Sequence, residues 1–177
     1  LGSRLFDAIT ELPEYYPTRT EAAVFAQHGA DMARHVPEGA VMVDLGAGSC
    51  AKAARLFPVL QPAAYLPVDI SVDYLRDTLA ALQQRHPELP MRGLGMDFSA
   101  RLSLGPAAGA WLAERALAEQ PRLVFYPGSS IGNFTPDEAL ALLCQAHAVC
   151  RSGGAGGGLL IGVDRVKPRA VLEPAYD

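Results

Sequence analysis

Cysteine is scarce in this sequence and carries no pairing pattern. Its 177 residues include three, Cys50, Cys144 and Cys150, with no C-x-x-C spacing. An odd count argues against a disulfide scaffold, and reduced thiols in a cytosol are the simpler reading. The four histidines, His28, His35, His86 and His147, show no i,i+4 pair and no companion cysteines, so no metal site is expected. Basic clusters are missing as well, and the formal net charge is -4. That argues against nucleic acid and against an anionic membrane surface. No apolar run reaches the roughly 18 uncharged residues of a spanning helix. No secretory apolar segment follows Leu1. The expected location is therefore cytoplasmic. The oligomeric state has no signature in the sequence.

Half of the residues are hydrophobic, enough for one globular domain with a sizeable core. Short apolar runs recur at Val41-Met42-Val43, Ala64 to Val68, Leu123 to Tyr126 and Leu159 to Val163, with a weaker one at Met91 to Leu94. Between them the spacing turns helical. Leu75, Leu79 and Leu82 form one apolar face after Ser71. Thr135-Pro136-Asp137-Glu138 is a capping box that starts a helix toward Cys150, ending at Ser152-Gly153-Gly154. The first four strands end near Asp44, Asp69, Asp97 and Gly128, at successive separations of 25, 28 and 31 residues. One βαβ step takes roughly 30. The pattern predicts a Rossmann-like, mostly parallel sheet with flanking helices. Residues 37–177 are expected to form this core. Residues 1–36 are expected to form a helical cover, with Thr18 and Glu21 as a capping box for a helix running to about His35.

Asp44-Leu45-Gly46-Ala47-Gly48-Ser49-Cys50-Ala51 follows the first strand. Glycines there permit a tight turn and close approach of a ligand to the main chain. Asp69 ends the second strand, 23 residues after Gly46, near the offset at which an acidic residue binds ribose hydroxyls. Asp97 ends the third, beside Phe98. A plain strand-to-helix turn, a helix cap at Asp69 and a turn former at Asp97 are the bland alternatives. Two ligands suit the pattern. NAD fits G-x-G-x-x-A. S-adenosyl-L-methionine is cationic at sulfur, lacks a pyrophosphate, and gains more from carboxylates at three successive strand ends. The second is favoured, with an NAD-dependent oxidoreductase on the same glycine loop, or a cofactor-binding module without activity, as the alternatives. Lys52 could snorkel toward a cofactor carboxylate or remain a solvated surface lysine.

Pro127-Gly128-Ser129-Ser130-Ile131-Gly132-Asn133-Phe134 follows the fourth strand. Small residues keep the floor of this loop low, and Asn133 offers both a donor and an acceptor. Asn133 either orients a substrate or stabilises the turn before Thr135 as an Asx-turn. Tyr15 and Tyr176 would either hold a ligand by their hydroxyls or pack. Arg165 and Lys167 are expected to face solvent or a further lobe.

Three longer stretches carry a resemblance. Leu12-Pro13-Glu14-Tyr15-Tyr16-Pro17-Thr18-Arg19-Thr20-Glu21, the Pro127–Phe134 loop, and Gly162-Val163-Asp164-Arg165-Val166-Lys167-Pro168 followed by Ala175-Tyr176-Asp177 resemble, in order, motifs of the histidine-specific N-alpha-methyltransferases of ergothioneine biosynthesis. The resemblance implies an α/β class I methyltransferase fold and stepwise trimethylation of the α-amino group of L-histidine to hercynine. It implies that Gly46, Lys52, Asp69, Asp97 and Phe98 hold S-adenosyl-L-methionine, and that Tyr15, Gly128, Asn133 and Tyr176 hold a small amino-acid substrate. Five strands stand here where that fold has seven. The C-terminal part is therefore expected to be absent from this chain, together with substrate contacts that help choose the amino acid. Related members methylate an indole amino acid instead. Cys50 has no assigned role.

Overall fold

The computed structural model describes residue 5 and residues 8–176, except for the side chains of residues 171 and 174–176. Five parallel strands form one sheet in the order β3-β2-β1-β4-β5. They are β1 (Val41–Leu45), β2 (Ala64–Asp69), β3 (Leu94–Gly95), β4 (Arg122–Tyr126) and β5 (Gly158–Ile161). Among the described residues, the helices of eight residues or more are α1 (Tyr16–Ala33), α2 (Ala51–Leu60), α3 (Val72–Arg85), α4 (Gly105–Ala113), α5 (Pro136–Cys150) and α6 (Arg169–Tyr176). β1 is central and all five of its residues are buried. A strand covered on both faces reads as an unbroken apolar run, which is why Val41-Met42-Val43 stood out.

Alternate residues of β1 feed two cores. Val41, Val43 and Leu45 join Leu112 of α4 and Leu142 and Ala146 of α5 on one face. Met42 joins Leu56 and Phe57 of α2 and Leu82 of α3 on the other. Burying each such leucine contributes about 1.5–3 kcal/mol. Truncating Leu82, which is 0% exposed, to alanine should cost about 2–5 kcal/mol. α1 lies over the second core, where Phe25 meets Phe125 at 5.9 Å between ring centroids.

A local signal sets the start of α5. Thr135 and Glu138 cap α5 reciprocally, with Pro136 in the first turn. β3 shrinks to two residues, helped only by a bridge between Met91 and Tyr65, because Pro90 and Gly93 flank a sheet edge. α4 had no counterpart in the sequence reading. Gly105-Pro106-Ala107-Ala108-Gly109-Ala110-Trp111-Leu112-Ala113 is apolar nearly throughout, so it shows no polar face. The expected capping box at Thr18 and Glu21 is not formed. α1 begins at Tyr16, no side chain caps it, and Glu21 points elsewhere.

This topology positions the site. The chain builds β1, β2 and β3 outward in one direction, then returns to lay β4 and β5 on the other side of β1. At such a switch point the loops leaving neighbouring strands diverge and open a crevice at their carboxyl ends. The loops after β1 and β4 are the two involved.

Candidate active site

The loop after β1 is tied to β2. The Gly46 and Ala47 amides donate to the Val68 carbonyl at 2.9 and 3.1 Å. The Gly48 amide donates to Asp69 Oδ2 at 2.9 Å, and the Ser71 amide to Asp69 Oδ1 at 2.8 Å. Asp69 therefore shapes the loop and the start of α3 at once, and it is not among the residues that line the cavity at this edge. Cys50, at φ 57°, closes the turn from a buried position. Burial pushes its thiol up to about 12, so it stays protonated and packs as a small apolar group.

Behind this loop lies a buried carboxyl. Asp44, the fourth residue of β1, is 1% exposed and lines the crevice. The Tyr65 hydroxyl donates to its Oδ2 at 2.6 Å. Its Oδ1 has no partner among the described residues. Desolvation by burial is the main cause that raises this carboxyl from 3.8 to about 7, with the Tyr65 bond and the Lys52 charge opposing.

The loop after β4 is fastened by distant parts of the chain. Glu21 of α1 accepts from the Gly128 amide at 2.6 Å through Oε1 and pairs with the Lys52 ammonium at 2.6 Å through Oε2. Gly128 stands at φ +82°, and a Cβ there would lie 2.8 Å from Lys52 Nζ. Gly162, after β5, leaves room for the same carboxylate, since its Cβ would lie 2.9 Å from Glu21 Oε1. A second tie runs beside it. The Asp164 amide donates to Ser129 Oγ at 2.7 Å, and the Tyr16 hydroxyl donates to Asp164 Oδ2 at 3.1 Å. Lys167 pairs with Asp164 and sits 4.9 Å from the Tyr16 ring centroid. Lys167 stays partly exposed in this pair, and Arg165 beside it is exposed.

Both loops open onto one cavity of about 1090 Å³. Five residues expected at a site line it: Tyr15, Gly46, Lys52, Gly128 and Asn133. Phe98 covers the outer side of the β1 loop, within 3.7 Å of where a Gly46 Cβ would be, and meets Tyr126 edge to face. Asp97 is exposed, and bonds from the Ser99 hydroxyl and amide hold its carboxyl below the usual range. The Tyr176 side chain lies outside the described residues. Asn133 is exposed at the end of a short 3-10 turn, Ser130–Asn133. The Thr135 amide, which an Asx-turn would use, donates instead to Glu138. The turn-forming alternative for Asn133 is thus not realised.

The model of the histidine-specific, SAM-dependent methyltransferases matches residues 1–177. The chain belongs to that family. A histidine N-alpha-methyltransferase of Mycobacterium tuberculosis is 34% identical over 181 residues, covering 100% of this chain and 52% of that protein. Ergothioneine biosynthesis protein 1 of Neurospora crassa is 31% identical over 99% of this chain and 19% of its own length. A 4-dimethylallyltryptophan N-methyltransferase of Epichloe festucae var. lolii is 31% identical over 93% of this chain and 48% of its own. Among solved structures, the CcbJ methyltransferase of Streptomyces caelestis superposes with a TM-score of 0.52 at 20% identity, over 76% of this chain and 48% of that one, and shows the same fold. The chain spans about half the length of the histidine methyltransferases it matches.

For a methyltransferase, the donor set is suitable. A cationic sulfonium compound asks for acceptor oxygens, and a buried carboxyl with an unpartnered oxygen lines the crevice beside the glycine loop, charged once the pH passes about 7. Two residues of this cavity are not among those the resemblance implies. Asp44 stands in the sequence as one of three strand-end carboxylates that suit the donor, without a contact of its own. Glu21 had been read as a helix cap, and nothing in the order of residues could have paired it with Gly128, 107 positions away. Among the described residues, no helix is long and apolar enough to cross a membrane.

Proposed function

We propose that this chain is the core of an enzyme that transfers methyl groups from S-adenosyl-L-methionine to the α-amino group of an amino acid. L-histidine is the acceptor and hercynine, the trimethylated product, is the end point. The observation that carries the reading is the single cavity onto which the glycine loop and the β4 loop both open, with Asp44 between them. In this reading residues 1–36 are the cover and residues 37–177 the methyltransferase core.

When bound, S-adenosyl-L-methionine supplies an electrophilic methyl on a sulfonium. Gly46, Lys52, Asp69, Asp97 and Phe98 would hold it, and Tyr15, Gly128, Asn133 and Tyr176 would hold the amino acid. The reaction is an in-line displacement, so the amine must stand behind the methyl. Small residues at Gly128 and Gly132 leave that approach open, and Asn133 orients the amine or carboxylate. Positioning of this kind is worth roughly 7–11 kcal/mol. The amine must be neutral to attack. A cation nearby favours its deprotonation, so no dedicated base is assigned. With three free thiols, we place the enzyme in a cytosol.

The test uses the full-length protein. Incubation with histidine and the methyl donor should yield species heavier by one, two and three methyl groups in mass spectrometry. Calorimetry should detect S-adenosylhomocysteine and not NAD, and the reverse would return the chain to the oxidoreductase reading. The relative that bears a dimethylallyltryptophan name supports a second acceptor class. Methylation of an indole amino acid in preference to histidine would select it.

A further inference from the structure

Glu21 touches both halves of the site. It comes from α1, yet its two carboxylate oxygens engage the Gly128 amide of the acceptor loop and the Lys52 ammonium of the helix after the donor loop. The pair is shielded, with the Glu21 side chain 15% exposed and that of Lys52 30%. Shielded charges are weakly screened by salt and act over longer distances. Lys52, Asp69 and Glu21 all act electrostatically on Asp44, so the four groups share one field. Lys52 is the single cation among them. Left unpaired, its ammonium would oppose any cation entering the crevice.

We propose that Glu21 is a positioning residue that holds the Lys52 ammonium in an ion pair against Gly128 and thereby keeps the cavity receptive to a cationic sulfonium donor. The inference rests on the donor assignment made above. Its consequence concerns the difference between donor and spent product. S-adenosylmethionine and S-adenosylhomocysteine differ by one methyl and one positive charge at sulfur. An ion pair that only docks α1 would influence both compounds equally. An ion pair that sets the charge of the cavity influences the donor alone.

The test is equilibrium binding of both compounds, by calorimetry, to the full-length protein and its variants. The quantity read is the dissociation constant of the donor divided by that of the product. Glu21→Gln keeps the size and the amide contact but frees the Lys52 charge. The ratio should rise by about three- to tenfold, as for one unit charge acting across an intermediate dielectric. Lys52→Met leaves Glu21 unpaired and should move the ratio the opposite way by a similar factor. It also serves if Glu21→Gln proves unstable. The double variant should return to within about twofold of wild type. Should the ratio stay unmoved in both single variants, or move in the same direction in both, the inference is overturned. Wild-type protein that binds neither compound would remove the donor assignment itself, an outcome distinct from an unmoved ratio.

Discussion

The loop after β1 and the loop after β4 border the same cavity, but they are held in opposite ways. The first is tied to the next strand in the chain, through Val68 and Asp69. The second is tied across 107 residues to Glu21 and across 35 to Asp164. The β1 loop, the donor side of the function proposed above, is therefore a product of one βαβ unit and would form with it. The β4 loop, the acceptor side of that proposal, takes its shape only when the N-terminal helix, the helix after the glycine loop and the end of β5 have all docked. The β4 loop can therefore change without disturbing the local unit.

The largest expected break in this contrast is Gly128→Ala. The φ of +82° costs a non-glycine residue about 1–2 kcal/mol, and the added Cβ would meet Lys52. Methyl transfer should fall on the order of a hundredfold, nearly 3 kcal/mol of barrier, while the protein stays folded by circular dichroism. Activity within threefold of wild type would mean that the loop tolerates bulk where the acceptor is placed.

Asp44 tests the donor side. Its carboxyl is raised from 3.8 to about 7, so the folded protein holds a proton there that the unfolded chain has released. Its contribution to stability is complete below about 4 and is lost as the pH rises through 7. Asp97, Glu138 and Asp164 are lowered by hydrogen bonds and act with the opposite sign, so the comparison must be between variants. Asp44→Asn should abolish a fall on the order of a few kcal/mol between pH 4 and 7, read from denaturant unfolding at several pH values. A variant that retains the whole fall would assign that proton to another group.

A smaller effect is expected at Asp69. Asp69→Ala releases the Gly48 and Ser71 amides and should weaken S-adenosylhomocysteine binding by about 1.5–3 kcal/mol. Histidine affinity should change less than threefold. Unchanged product affinity would take Asp69 out of the donor side. The mildest variant sharpens the contrast from the other loop. Asn133→Ala should weaken the amino acid about tenfold, near 1.4 kcal/mol, and leave the product within twofold. Stability should hold within about 0.5 kcal/mol, since the Thr135 amide is already taken by Glu138. Unfolding on this substitution would restore the turn-forming role.

Much of this was legible in the order of residues, and the reasons differ by element. β1, β2 and β4 were readable because buried parallel strands leave unbroken apolar runs, and β5 because its Leu159-Leu160-Ile161 run is apolar although it lies half-open at the sheet edge. α5 was readable because capping is a contact between residues three apart. α4 was hidden because a helix apolar on every side lacks a polar stripe to mark it. Glu21 was misread because its pattern with Thr18 is genuine as sequence, while Gly128 and Lys52 compete for the carboxylate once α1 docks.

The sequence by itself determined the parallel α/β architecture, the glycine loop and the acidic residues at the strand ends, since each is written in neighbours or in a short period. Only the tertiary structure decided which carboxylates face the cavity. Burial of Asp44 beside Tyr65 and the meeting of Glu21 with Lys52 and Gly128 join groups from separate elements. Their energetics come from lost solvent and from distance in space, and neither quantity is encoded in separation along the chain.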